Sequence, residues 1–306
     1  LIPCQAACPA HADVPRYVRF VKEGKMEEAT AVIHEKIPFP ECLGHICAHA
    51  CEGSCRRGEV NEAVSIRNIK RYAAEHANNE MWKKNSKHLP STGKKVCVVG
   101  GGPAGMTAAY YLAKQGHKTV LKEAMPKLGG QLQYGIPSYR LPREVVDREA
   151  GYLQDAGVKV ETDCRVEDPK ALLKEYDAVL MAIGTHMGVR LPMEGNDLPG
   201  VLLNADFLQN AAMGKRTGMG KRVIVLGGGN VAFDCARTAV RLGAEEIHLA
   251  CLEARENMLA DDEEIEQAQE EGIHVHPAHT FERICGTDHV TGVEFCNVKS
   301  FTFYEN

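Results

Sequence analysis

Six cysteines crowd the first 55 residues: Cys4, Cys8, Cys42, Cys47, Cys51 and Cys55. They form Cys4-x3-Cys8-Pro9 and then Cys42-x4-Cys47-x3-Cys51-x3-Cys55. A Cys followed by Pro that closes a short Cys run is typical of ferredoxin-type iron–sulfur ligation. Structural zinc stays open, because His45 and His49 lie inside the cluster, although zinc favours paired C-x2–4-C knuckles. Disulfides stay open too, but the rest of the chain reads as cytosolic nucleotide chemistry, where thiols remain reduced. A [4Fe–4S] cluster takes four ligands, so six cysteines complete one cluster and fall short of two. Cys8, Cys47, Cys51 and Cys55 are the first four, with Cys4 and Cys42 in reserve. The remaining six cysteines are scattered singly, and those in apolar surroundings, Cys97 and Cys235, read as small buried hydrophobes.

Two glycine-rich loops carry the second chemistry. The apolar run Lys95–Val99 enters Gly100-Gly-Gly102-Pro103-Ala104-Gly105, a helical pattern follows, and a second run, Lys118–Lys122, ends at Glu123. Strand, G-x-G-x-x-G, helix and an acid 18 residues past Gly105 together make a dinucleotide-binding fingerprint. Gly100 allows the tight turn, Gly102 lets the backbone approach a pyrophosphate, and Gly105 lets helix pack on strand. The helix N-terminus offers free N–H groups to the phosphates, and Glu123 accepts from an adenosine ribose. The pattern repeats as Lys221–Leu226, Gly227-Gly-Gly229-Asn230-Val231-Ala232, a helix to about Leu242, and a strand from Glu246. Two such units imply one bound and one exchanging dinucleotide, the logic of a flavin–nicotinamide enzyme. The acid of the second unit is Glu253, 24 residues past Gly229. A carboxylate there pairs with a free ribose 2′-hydroxyl and repels a 2′-phosphate, which favours NAD(H) over NADP(H). Arg255 nearby works partly against this.

These groups need scaffolds. Helical signals at Val14–Glu23, Met26–Glu35 and Ala63–His76 surround the cysteines. Residues 77–94 are polar, with Pro90 and Gly93 as breakers, and read as a linker. Between the loops, Gly129-Gly130-Gln131-x2-Tyr134-Gly135-Ile136-Pro137-x-Tyr139-Arg140 mixes permissive Gly and Pro with aromatics and one Arg; such a segment can line an isoalloxazine ring or be a surface loop. A further strand, Ala178–Ile183, ends in Gly184-Thr185. The acidic run 260–271 reads as a solvated helix with acids at its N-terminus. His274, His276 and His279 read as strand and loop without a metal, since no carboxylates converge with them.

Composition narrows the classes. The 306 residues suit about two domains at roughly 100–200 residues each. With 36 Lys+Arg against 41 Asp+Glu, the net charge of -5 argues against a nucleic-acid partner. No apolar run reaches the roughly 18 residues that a membrane span needs. The chain starts at Leu1-Ile2-Pro3-Cys4, without Met and without a visible signal peptide, and reads as a fragment or a processed chain.

With these residues in view, the sequence resembles the small (beta) subunit of glutamate synthase and its relatives, which include the N-terminal part of dihydropyrimidine dehydrogenase and flavin subunits of electron-bifurcating and formate- or aldehyde-oxidising complexes. The likeness rests on Cys4-x3-Cys8-Pro9, Ile46-Cys47-x3-Cys51-Glu-Gly-Ser-Cys55, Val98 to Gly105, Gly129 to Pro142, Ala182-Ile183-Gly184-Thr185 and Gly227 to Arg237. It implies a small α-helical iron–sulfur domain followed by two Rossmann-like α/β dinucleotide-binding domains. The expected boundaries are 1–76 for the iron–sulfur domain, 77–94 for the linker, 95–195 for the first half of the FAD domain and 196–306 for the NAD(P) domain. It adds Val166, Ala182, Gly184, Thr185 and Asp234 to the cofactor-binding set, and a redox partner subunit in a cytoplasmic complex. The sequence departs from the family in its cluster ligands, its nucleotide acid and its end. Members with two clusters carry a CxxC pair before the position of Cys4. Lys70 stands where several have a Glu or Gln ligand. Cys251-Leu252-Glu253 stands where NADPH-using members have Tyr-Arg-Arg. The family also returns to the FAD domain after the nicotinamide insert, and the sequence ends before that return.

The resulting expectation is an NAD(H) oxidoreductase module that uses FAD and at least one [4Fe–4S] cluster. Three rivals stand beside it: an NADPH-dependent glutamate synthase small subunit, an assembly subunit with a vestigial flavin site, and a thioredoxin-reductase-like disulfide enzyme. The last is disfavoured because Cys235 has no C-x-x-C partner.

Overall fold

A computed structural model describes residues 2–85 and 88–302; residues 86 and 87 of the expected linker and 303–306 of the expected NAD(P) domain lie outside the described residues. The chain divides into two compact units, one of residues 1–133 with 138–184 and one of residues 134–137 with 185–306.

The first unit begins with short helices. Asp13 accepts the Arg16 N–H and caps Val14–Lys22, with Pro15 in its first turn. That helix, Met26–His34 and Ile66–His76 bury Val14, Tyr17, Ala29, Val32, Ile33, Ile66 and Ala73 together, and Cys51 joins this core. The third helix starts at Ile66, three residues later than its hydrophobic pattern suggests. The expected linker carries a helix, Glu80–Asn85. Its Trp82, the only tryptophan, stacks on His34 with ring centroids 3.8 Å apart, and Tyr152 meets both rings edge-on. Ring burial holds this segment against the unit where its polar sequence reads as free.

A parallel sheet follows: β1 (Lys95–Val99), β2 (Lys118–Lys122), β3 (Lys159–Glu161) and β4 (Ala178–Met181), in the order β3-β2-β1-β4. Val96 to Val99 of β1 are buried, as befits a strand paired on both edges. The helix Pro103–Lys114 runs from the end of β1 back to β2.

The second unit repeats the scheme with β5 (Arg222–Leu226), β6 (Glu246–Ala250) and β7 (His274–His276), all parallel. An antiparallel hairpin follows, β8 (His279–Gly286) and β9 (Val290–Asn297). The helices Asn230–Arg241 and Asp262–Glu270 pack Phe233, Ala236, Ala239, Ile265 and Ala268 onto Ile247 and Leu249. The acidic helix is therefore only half solvated. Its Glu264, with Glu271 just beyond it, grips Arg237, whose side chain is 6% exposed, at 2.7 and 2.8 Å. Breaking a buried ion pair costs about 3–5 kcal/mol, so Arg237→Leu should destabilise the second unit by about that much in chemical denaturation.

His34 gives the first unit a pH dependence. Burial pushes its imidazole down to about 3 from the ordinary 6.5. The unfolded chain thus binds a proton at 6.5 that the folded chain refuses, and stability falls as pH drops below 6.5. At 1.36 kcal/mol per pH unit, going to pH 5 should cost about 2 kcal/mol. Glu149, raised by burial to about 7 from 4.5, acts in the opposite sense, losing stability as pH rises through 7. The His34 contribution is therefore read as wild type minus His34→Gln, followed by Trp82 fluorescence. A flat difference between pH 7 and 5 contradicts it.

Candidate functional site: two dinucleotide loops and a thiol cage

The first loop is built of glycines with different duties. Gly100 has φ +108°, and a Cβ there would lie 2.3 Å from the Ala182 carbonyl oxygen. A Cβ on Gly105 would lie 1.8 Å from the Gly100 carbonyl oxygen. Both positions are closed by packing. Gly102 differs: its backbone is extended, at φ -76° and ψ -177°, and a Cβ would meet only the Gly130 Cα at 3.8 Å. Gly102 thus faces open space at the start of the twelve-residue helix Pro103–Lys114, to which Pro103 and Ala104 contribute the first turn. Free N–H groups and dipole there suit a pyrophosphate. The buried Glu123 carboxylate accepts the Gly101 N–H at 2.5 Å and the Met125 N–H at 2.7 Å. Each oxygen keeps lone pairs for a ribose diol. These features fit FAD.

The Gly129–Gly130 turn lies over this loop. Gly129 donates to the Gly101 carbonyl at 2.8 Å, and a Cβ on Gly130, at φ +52°, would reach within 2.7 Å of the Gly102 Cα. That approach packs the Gly129–Gly130 turn against the first loop, within the first unit. Gln131 is exposed and opens the short helix Gln131–Tyr134. Arg140 lies in the first unit, and its carbonyl takes a hydrogen bond from His45. Val166 packs with Tyr176 against Cys97 and Val99. Ala182 lies beside Gly100 and Gly184 ends the first unit, whereas Tyr134, Ile136 and Thr185 group with the second unit.

The second loop is the counterpart. Gly227 has φ +130°. Gly229 is extended, at φ -91° and ψ 169°, with nothing within 4 Å of a Cβ position. The helix Asn230–Arg241 starts there; Val231 is exposed and Asp234 buried. Asn230 is fixed by Asp261, whose N–H it accepts at 2.9 Å and whose carboxylate it donates to at 3.2 Å. A Glu253 oxygen lies 3.1 Å from the Cβ position of Gly228, just as a Glu123 oxygen lies 3.0 Å from that of Gly101. Both acids therefore stand in the same place relative to their loops. The Arg255 guanidinium donates to Asp262 at 2.9 Å.

Four of the six N-terminal thiols gather. Cys4, Cys8, Cys47 and Cys51 all act electrostatically on the buried Tyr17 hydroxyl, whose pKa burial raises first and these thiols next. Cys51 is pushed up to about 11, by burial first and then by Cys47, Glu52 and Cys8. Crowded thiols hold their protons until a metal replaces them. This donor set fits an iron–sulfur cluster. Cys55 is held separately by backbone N–H groups, chiefly that of Val64, which lower its pKa and favour the ligating thiolate. Among the described residues, no three His, Cys, Asp or Glu side chains close on a point as they would around one ion. A cubane spreads its thiolates further apart than one ion does.

Cys42 stands elsewhere. Its thiol hydrogen bonds Glu149, and burial, the first cause, raises its pKa with Glu149 next. Glu149, wholly buried on the helix Arg143–Ala150, also accepts the Glu41 and Cys42 N–H groups at 2.7 and 2.9 Å, while Arg148 pairs with Glu41. The reserve ligand Cys42 thus joins the thiol helices to the flavin half instead of joining the cage. Tyr17 went unforeseen as a site residue because its helical spacing reads as core. Glu149 went unforeseen because its partners lie more than 100 residues away.

Two nucleotide loops behind a thiol-bearing helical segment define a flavin–nicotinamide oxidoreductase architecture. Residues 94–302 match the model of the pyridine nucleotide-disulphide oxidoreductase family, and residues 2–82 match that of dihydropyrimidine dehydrogenase domain II, 4Fe-4S cluster. The chain belongs to the pyridine nucleotide-disulphide oxidoreductase family, and its N-terminal segment matches a 4Fe-4S domain. It is 39% identical to the NADPH-Fe(3+) oxidoreductase subunit beta of Geobacter sulfurreducens, over 95% of this chain and 45% of that one. It is 37% identical to the NADP(+)-dependent formate dehydrogenase subunit beta of Moorella thermoacetica, over 90% and 43%. It is 35% identical to the glutamate synthase [NADPH] small chain of Escherichia coli, over 88% and 61%. The chain spans about half the length of the curated relatives it matches. Among solved structures, 2-naphthoyl-CoA reductase shares the fold at a TM-score of 0.60 and 18% identity, over 95% of this chain and 40% of that one. FprA from Mycobacterium tuberculosis shares it at 0.59 and 17%, over 68% and 64%.

Proposed function

We propose that the chain is the NAD(H)-reading part of a flavin- and iron–sulfur-dependent electron-transfer subunit, which passes electrons between NAD(H) and a partner redox subunit. The observation that carries this reading is the pair of loops with equivalent acids, Glu123 and Glu253, each beside the middle glycine of its loop. Bound FAD supplies hydride exchange with a nicotinamide, and the cluster carries electrons singly. The protein's own part is positional. Gly102 and the helix start behind it receive the FAD pyrophosphate, and Glu123 receives its ribose. Gly229 and Asn230 receive the NAD(H) pyrophosphate, and Glu253 its adenosine ribose. Cys4, Cys8, Cys47, Cys51 and Cys55 supply cluster thiolates, and the partner is a redox subunit of a cytoplasmic complex.

The relatives named above carry NADPH or NADP in their names, and an NADPH-dependent glutamate synthase small chain is the second reading. Glu253 opposes it, because its carboxylate repels a 2′-phosphate, and the nearby Arg255 cation also pairs with Asp262. Disulfide chemistry is a poor match: burial pushes the Cys235 thiol up to about 12. A vestigial flavin site sits poorly with the open face of Gly102. The test is cofactor analysis of the anaerobically purified full protein. FAD released by acid, with iron and acid-labile sulfide in equal amounts, supports the reading. Iron without flavin favours the assembly-subunit reading.

A further inference from the structure

Lys70 lies on the helix Ile66–His76 and is 6% exposed. Lysine is almost never this buried unless its charge is paired. Its ammonium nitrogen is 3.2 Å from the Cys47 sulfur and donates to it. The same ammonium acts on Cys51, which also feels Cys47 and Cys8. One buried cation and three thiols therefore share a single site. Four thiolates around a [4Fe–4S]2+ core leave a net charge of about -2, and reduction makes it about -3. A fixed cation beside this site stabilises the reduced form more than the oxidised one. With its nitrogen donating to sulfur, Lys70 is turned to act as a hydrogen-bond donor, and an ammonium has no lone pair with which to bind iron.

We propose that Lys70 is a non-ligating cation built into the iron–sulfur site of Cys8, Cys47 and Cys51, where its N–H···S bond and its charge raise the potential of the cluster. The proposal rests on the iron–sulfur reading of these thiols. Lys70 is a positioning residue, acting on the cluster through Cys47 and through space.

The experiment is a redox titration of the anaerobically purified full protein, followed by electron paramagnetic resonance, with iron and sulfide assayed on every sample. Lys70→Met should keep its iron and shift the reduction equilibrium at least tenfold toward the oxidised form, a midpoint lower by about 59 mV for a one-electron couple. Lys70→Arg, which keeps the charge, should stay within about threefold of wild type. If Lys70→Met loses iron, the arginine variant decides: iron and a wild-type midpoint support the charge role, and loss of iron overturns it. An unmoved midpoint in an iron-replete Lys70→Met protein overturns the proposal, as does a directly bonded nitrogen in the wild-type hyperfine spectrum. Wild-type protein free of iron removes the cluster reading and the proposal together, whereas iron with an unmoved midpoint removes the proposal alone.

Discussion

Gly229→Val should yield a folded protein that keeps its FAD and is no longer reduced efficiently by NADH. The first added carbon meets nothing within the chain: the backbone there is extended, and nothing lies within 4 Å of a Cβ. What it fills is the space above the helix Asn230–Arg241, where a pyrophosphate would meet free N–H groups. Loss of one or two charge-assisted hydrogen bonds, at about 1.5–3 kcal/mol each, predicts at least about a tenfold fall in kcat/KM for NADH. Gly102→Val is the matching experiment on the first loop. A Cβ there meets only the Gly130 Cα, at 3.8 Å. The protein should fold and purify without flavin. Gly105→Ala is the opposite kind of change, because its Cβ would lie 1.8 Å from a carbonyl oxygen. It should disturb folding itself. Flavin retained in Gly102→Val, or wild-type reduction by NADH in Gly229→Val, would remove the pyrophosphate assignments.

Glu253→Arg should invert the nicotinamide preference. On the proposed reading, the wild-type carboxylate beside Gly228 accepts from a ribose diol and repels a 2′-phosphate. At about 4 Å and an effective dielectric of 20, the repulsion of two unit charges is about 4 kcal/mol, and partial exposure of the carboxylate reduces it. A preference of about a hundredfold for NADH over NADPH in kcat/KM is expected, at 1.4 kcal/mol per factor of ten. Glu253→Ala should narrow the gap by weakening NADH and relieving NADPH. Glu253→Arg should favour NADPH by tenfold or more, through paired hydrogen bonds to the 2′-phosphate. Steady-state kinetics of the three proteins decide it. Equal use of both nucleotides by wild type and Glu253→Arg would mean that Glu253 does not face the ribose.

Local grammar explains what the sequence made visible. β1 and β2 were readable to the residue, because an apolar run that meets a Gly-rich turn has few alternatives. The tight packing at Gly100 and Gly105 followed from their spacing. Longer-range effects were hidden. The stretch around Trp82 is polar enough to read as a linker, and it is the facing His34 and Tyr152 rings that pack its helix. Cys42 looks like any other member of its cysteine run until Glu149, 107 positions later in the chain, takes its N–H and its thiol. The acidic helix conceals its structural acids, because Glu264 and Glu271 acquire a role only when Arg237 is brought beneath them. The hairpin β8–β9 had no Asn-Gly-type turn to announce it.

The most direct test of the account is the visible spectrum of the anaerobic native protein, with NADH added to one sample and NADPH to another at equal concentration. NADH should bleach both the flavin bands and the broad iron–sulfur absorbance, while NADPH should leave them largely unchanged. Preferential bleaching by NADPH would contradict the role given to Glu253, and flavin bleaching that never reaches the iron–sulfur absorbance would contradict the electron-transfer role of the thiol cage.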